Sequence, residues 1–430
     1  MGLGDEESMN TVDGLRRRLW VMIGAGVLVV AAVVGGIVFP RPEAAGTAGG
    51  PDEINGSYRV LAPIESGNLL LFPVVRASGK SGPGTPFLTL DEGLKNGSVE
   101  VTEAGKVSGL VRRRDNGPAI WAEHPGDQVN TLVLVNNSKQ PLLLLAGEIV
   151  TGGKQDRVIS KDRIVPAGSD PIDLSVFCIE PGRWVESSAM FSMSDKAPMA
   201  SFMVQPTVRE QAMAAKNQQQ VWASVHGSIA AVAAAPMPSG GAVRAAAPPE
   251  TTSYAKAMQS DAFKEKVDEA AAPLMQSREE IMAQLRKEGA IGVVVAVRGE
   301  IVWADIFSST DLLSRYWTKL VRSYAAESLT AGETHAAPTA ADAQRFLETP
   351  TGGTETSEGS VNIYRYLELK SGATETFVLE SLLPEARGEV HISKLKLRNS
   401  EVRSRHEGWV HPMPIQPIRP PIIPAPVEPQ

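Results

Sequence analysis

Cys178 is the only cysteine in 430 residues, so the chain forms no intrachain disulfide and no CxxC zinc or redox pair. Basic residues are in deficit as well. The chain carries 42 Lys and Arg against 49 Asp and Glu, a net charge of -7, and lacks the basic face that nucleic acid requires, so no nucleic-acid partner is expected. The six histidines, His124, His226, His335, His391, His406 and His411, are dispersed with no HxxxH or HExxH spacing, so neither a metal nor a cofactor is expected. GxSxG elbows, GxGxxG fingerprints, phosphate loops of GxxxxGK[ST] form and repeats of constant period are absent too. A mean hydropathy of -0.09 excludes a polytopic membrane protein. Ordinary globular usage, 43% hydrophobic and 21% charged, excludes wholesale disorder.

One long apolar run is present. Leu19 to Phe39 contains no charged residue, and at 1.5 Å per residue it is about 30 Å long, the thickness of a bilayer core. Arg16, Arg17 and Arg18 precede it, whereas Arg41 on the far side is offset by Glu43. The positive-inside rule then leaves residues 1–18 in the cytoplasm, spans the plasma (inner) membrane once with 19–39, and puts everything beyond Pro40 outside. A cleaved signal peptide would have a shorter apolar run, so a retained anchor is the reading adopted. Ala31/Gly35 and Ala32/Gly36 are small-xxx-small pairs that leave a homodimer through the span open.

The remaining chain predicts an α+β fold. Residues 40–56 are rich in Gly, Ala and Pro and read as a tether. Residues 57–205 show short apolar or alternating runs separated by turn formers, which predicts a β-rich, mostly antiparallel part. In 206–290 strong helix formers take over, predicting helices over Arg209–Ala235 and Thr252–Lys287 about an Ala/Pro-rich loop, the second kinked or broken before Pro273 and carrying an apolar stripe of Phe263, Val267, Leu274, Ile281 and Leu285. Residues 291–411 predict a hairpin turning at Arg298-Gly299, a helix capped by Ser309 or Thr310 with an apolar face from Leu312 to Tyr324, a polar loop over Gly332–Gly359 apart from a short helix at Ala340–Leu347, and further strands from Val361. Eight prolines between Pro412 and Pro429 predict a polyproline tail over 412–430.

Candidate chemistry gathers in two short stretches. Glu148, then Gly152-Gly153-Lys154-Gln155-Asp156-Arg157, offers backbone amides and cationic side chains that can meet an anion, or a turn whose charges pair with each other. Glu180 and Arg183 follow a strand, and can pair with each other, flank a pocket with Trp184 as a wall, or pin a loop to the sheet. Cys178 suits a small buried hydrophobe better than a nucleophile. Asp305, inside a strand-like run, needs a partner if buried, and a salt bridge suits it better than acid/base work.

Four blocks resemble a known family: Pro86–Lys95, Leu145–Arg157, Val176–Trp184, and Trp303–Ser308 followed by Tyr316–Tyr324. Their order and wording, over about Ser57 to Leu397, are similar to the ARG (ADP-ribosylglycohydrolase) and rhodanese-phosphatase-superfamily-associated protein domain, a domain of unknown function. The resemblance implies no catalytic residue. The reading is thus an anchored protein whose outer domain binds a protein partner or a small anionic ligand. The alternatives are a hydrolase of a phosphate- or ribose-bearing substrate, and a purely structural protein.

Overall fold

A computed structural model describes residues 58–78, 86–109, 130–183, 187–188, 191, 203–238, 251–330, 332–348 and 354–398. The apolar run Leu19–Phe39, the tether and the proline tail lie outside them. Among the described residues no helix is long and apolar enough to cross a membrane. The chain divides into two units, Met1–Lys396 and Leu397–Gln430; the architecture below is that of the first.

Strands β1 (Tyr58–Val60), β2 (Ile64–Ser66) and β3 (Leu69–Arg76) open the domain, followed by β4 (Leu88–Thr89) and helix α1 (Leu90–Lys95). Then come β5 (Val99–Glu103), β6 (Thr131–Asn136), β7 (Leu142–Leu144), β8 (Ile149–Val150), β9 (Arg157–Ile159), β10 (Arg163–Val165) and β11 (Ile172–Cys178). The helical segment holds α2 (Pro206–Glu210), which continues as one wider turn to Ala215, then α3 (Gln218–Ala234), α4 (Tyr254–Gln259), α5 (Asp261–Gln276) and α6 (Arg278–Glu288). The last part comprises β12 (Ala290–Val297), β13 (Glu300–Phe307), α7 (Thr310–Ser328), α8 (Ala340–Leu347), β14 (Thr354–Ser360), β15 (Tyr364–Ser371), β16 (Thr374–Ser381) and β17 (Gly388–Lys396).

These elements make an α+β, β-rich fold that is mostly antiparallel, as the turn-punctuated apolar runs predict. A nine-stranded sheet runs β1-β3-β12-β13-β17-β16-β15-β14, with β2 also on β3, so the first strands of the chain complete the sheet formed by the last. A five-stranded sheet, β5-β6-β11-β9-β8, and a three-stranded one, β10-β7-β4, form the smaller lobe. Its apolar core includes Leu88, Val101, Leu134, Leu144, Ile159 and Val176. Only β4 and β7 pair in parallel among the described strands.

Several boundaries differ from the sequence reading for identifiable reasons. Leu90–Lys95 is helical rather than the end of a strand because Thr89 and Glu92 close a capping box. The helix over Arg209–Ala235 breaks at Lys216, which takes a left-handed backbone, and restarts at Asn217, whose side chain accepts from the amides of Gln219 and Gln220. The second helical stretch does not break before Pro273, which lies inside α5; it breaks at Ser260 and Ser277. Residues 354–360, read as loop, form β14, a strand with no apolar residue for a period-2 pattern to detect.

The tight turn at Arg298-Gly299 is as expected, with φ of 52° and 83°. Gly299 faces a second demand, because a Cβ there would lie 2.4 Å from the carbonyl oxygen of His335. Gly67, with φ of 57°, has nothing within 4 Å of the same position. Gly67→Ala should therefore cost about 1 kcal/mol in a denaturant titration, the backbone strain alone, and Gly299→Ala at least about twice that. Equal costs would show that the His335 contact relaxes without penalty.

Candidate functional site

The antiparallel register Val176↔Ile159, Phe177↔Val158, Cys178↔Arg157 lays the turn before β9 beside the turn after β11. Two stretches separated in sequence therefore meet. Glu180 is the hub: its Oε2 lies 2.5 Å from Arg183 and accepts from the Asp156 amide at 3.1 Å, while Oε1 lies 3.0 Å from the Lys256 ammonium. Asp156 accepts from the Gly152 amide at 3.1 Å and from Ser253 Oγ at 2.7 Å, and Arg183 is 3.6 Å from it. Gln155 donates to the Glu180 carbonyl at 3.1 Å, and Arg183 to the Gly153 carbonyl at 3.0 Å. The Lys154 amide donates to Glu103 at 2.7 Å, and the buried Arg157 guanidinium stands 3.9 Å from the same carboxylate.

Burial pushes the Glu180 carboxyl up, but its bonds to Arg183 and Lys256 outweigh that and hold it below the ordinary range. Burial raises Asp156, the charge of Glu180 adds to the rise, and Ser253 opposes it. Each carboxylate oxygen of this pair thus has a donor. What reaches solvent is cationic: the side chains of Arg183 and Lys256 are 18% and 56% exposed.

Glu148 stands apart from this group. Its carboxylate is buried, accepts from the Leu145 amide at 2.7 Å and lies 2.5 Å from Lys319 of α7, which also holds Asp91 at 2.8 Å. Burial raises its pKa, against the pull of Lys319. Trp184 lies outside the described residues. Cys178 is buried, burial pushes its thiol up, and its sulfur accepts from the Glu180 amide at 3.3 Å, the behaviour of a core residue rather than a thiolate.

A second polar cluster lies entirely inside the protein. Asp305 on β13 forms a two-pronged pair with Arg209 of α2, both distances 2.9 Å, and neither side chain has any exposure. Ser393 donates to Asp305 at 2.9 Å, and Tyr324 of α7 donates to it also. His391 on β17 bridges two carboxylates, with Nδ1 2.6 Å from Asp162 and Nε2 3.3 Å from Asp305. The Asp162 carboxylate accepts from the Ala146 amide at 2.7 Å. The Arg209 guanidinium lies 4.2 Å from the Trp303 ring centre. Burial alone would raise Asp305, but Arg209 and His391 hold it well below the usual carboxylate range. Burial alone would lower His391, but Asp162 and Asp305 push it up to about 9. With an imidazolium at 391 the four charges balance.

The model of the ARG and rhodanese-phosphatase-superfamily-associated protein domain matches residues 57–395. The chain belongs to that family. No curated protein and no solved structure matches it.

Within this family domain, Gln155, Asp156, Glu180 and Arg183 meet as the adjoining strand ends allow, while Glu148 belongs to a different pair. Sequence reading missed Arg209, Asp162, His391 and Lys319. Asp305 carried the one available signal, a carboxylate within an apolar strand, but its partner is 96 positions away and on another element. Among the described residues no group of three or more His, Cys, Asp or Glu is arranged to hold a metal ion.

His391 gives the domain a pH signature. A folded pKa of about 9 against 6.5 means that its stabilising contribution is complete below about pH 6.5 and vanishes as pH rises through about 9. His391→Gln should therefore lose about 3 kcal/mol more stability at about pH 6 than at about pH 10, measured by denaturant unfolding. A loss independent of pH would mean that folding leaves the His391 pKa unshifted.

Proposed function

We propose that this chain is a single-pass membrane protein, held by residues 19–39 with its N-terminus in the cytoplasm, whose extracytoplasmic domain binds a protein partner or a small anionic ligand. The anchor rests on the uncharged run after three arginines. The binding reading rests on one observation: each carboxylate oxygen of Glu180 and Asp156 has a donor, while the two cations that engage Glu180, Arg183 and Lys256, have side chains 18% and 56% exposed. General acid/base work requires a carboxyl group free to take or give a proton to a substrate. Glu180 and Asp156 instead hold two turns together, which favours binding over hydrolysis of a phosphate or ribose ester. A cation already oriented by Glu180 needs little further ordering to meet an acidic group.

For the anchor, a reporter active only in the cytoplasm should be silent when fused after Gln430 and active when fused before Met1. The reverse pattern would invert the orientation.

For the binding reading, a thermal-shift screen of anionic metabolites and acidic peptides should be run on the full chain in lipid nanodiscs. It should return binders whose affinity falls about tenfold in Arg183→Ala. Release of phosphate or ribose from any of them, abolished by Glu180→Gln, would replace binding with hydrolysis.

A further inference from the structure

We propose that the free edge of β14 is a docking edge that takes up a basic, extended peptide as an added strand of the nine-stranded sheet. The two edges of that sheet are unlike. The opposite edge is made of two three-residue strands, β1 and β2, both on β3, and β1 lies against α8, where the Val60 amide donates to Gln344 at 2.9 Å. The β14 edge is seven residues long and, among the described residues, pairs only with β15.

β14 buries none of its own side chains: six residues are exposed and Ser360 is half-buried. Packing therefore does not account for the strand, whose order rests on its ladder to β15. Of the usual ways of blunting an edge, Pro, Lys and a bulge are missing from Thr-Glu-Thr-Ser-Glu-Gly-Ser, which leaves its two glutamates as the only charges that repel a like strand. Such an edge is a template for strand addition, in which main-chain bonds supply affinity and side chains supply selectivity.

Charge identifies the occupant. Both ionic residues of β14, Glu355 and Glu358, are acidic and exposed, and among the described residues only Glu358 has a cation, Lys161 at 2.7 Å from one oxygen. Pairing β14 with β14 of a second copy would set two acidic strands side by side, whereas a basic strand makes each cross-strand pair favourable. Shape agrees. Ser357 and Gly359 are small and share a face with Glu355, leaving Leu367 and Leu369 of β15 half-buried behind them. An incoming strand can lean apolar stems, such as those of lysine, over β14 onto these leucines. The edge shares with the proposed function only the premise that the domain binds a partner. Its variants leave Arg183 untouched, so the two readings fail separately.

The test uses the full chain in lipid nanodiscs and a short labelled peptide of alternating lysine and threonine. The peptide should bind saturably, slow amide exchange at 354–360, and bind about tenfold more weakly to Glu355→Lys/Glu358→Lys. Both positions are exposed, so the variant should melt as the parent does, and an alternating glutamate and threonine peptide should not bind. Unchanged affinity in the variant, or binding without protection of 354–360, would overturn the proposal. So would concentration-dependent dimerisation that protects the same amides without peptide, which would make a second copy the occupant.

Discussion

Asp305 has no exposure and sits in the middle of a nine-stranded sheet, and keeping it ionised there organises much of the fold. An ionised carboxylate without partners is far too costly to bury. The guanidinium of Arg209 answers part of that cost and draws α2 onto the sheet, where Trp303 covers its face. His391 answers another part, but an imidazolium also needs a second acceptor, and Asp162 supplies it from the turn between β9 and β10. One buried charge thus ties the large sheet, the helical segment and the smaller lobe. Truncating any one of these partners would leave another buried charge uncompensated, which typically costs about 3–5 kcal/mol.

Helix α7 extends the same logic along its length. Its apolar face, from Leu312 to Tyr324, was readable from spacing, yet 15 of its 19 residues are buried, so polar positions are inside too. Tyr316, Lys319, Ser323 and Glu327 recur every three or four residues and therefore share one stripe. Together they reach the segments around Asp91, Leu143–Glu148 and Val204–Thr207. Tyr316 donates to the Leu143 carbonyl, Lys319 holds Glu148 and Asp91, and Ser323 donates to the Val204 carbonyl. Glu327 accepts from Gln205 and from Thr207, occupying the amide end of α2 and so steadying the helix that presents Arg209. Lys266 does the converse for α3, donating to the carbonyls of Val232, Ala233 and Ala235 at its far end.

How much of this was legible follows from which interactions are local. The Arg298-Gly299 turn, the Ser309 cap and the apolar stripes of Phe263, Val267, Leu274, Ile281 and Leu285 were legible, because each depends on residues a few positions apart. The pairing of Glu180 with Arg183 was legible for the same reason. Arg209 with Asp305, and Lys319 with Glu148, were not, since only the folded chain makes them neighbours. β14 was hidden differently. Its strand state comes from the β15 ladder and not from its own side chains, so no pattern in Thr354–Ser360 announces it.

The four blocks that carried the family resemblance take on a specific meaning in the fold. Pro86–Lys95 contains Asp91, Leu145–Arg157 contains Glu148 and Asp156, Val176–Trp184 contains Glu180 and Arg183, and the last contains Asp305, Tyr316, Lys319 and Tyr324. All of these but Tyr316 and Tyr324 are bonded to a residue from another block or from the helical segment. In this chain the four blocks therefore carry one or both partners of its main buried ion pairs. Such pairs are exacting because a buried charge tolerates few substitutes, and exacting residues need no catalytic reason to be present.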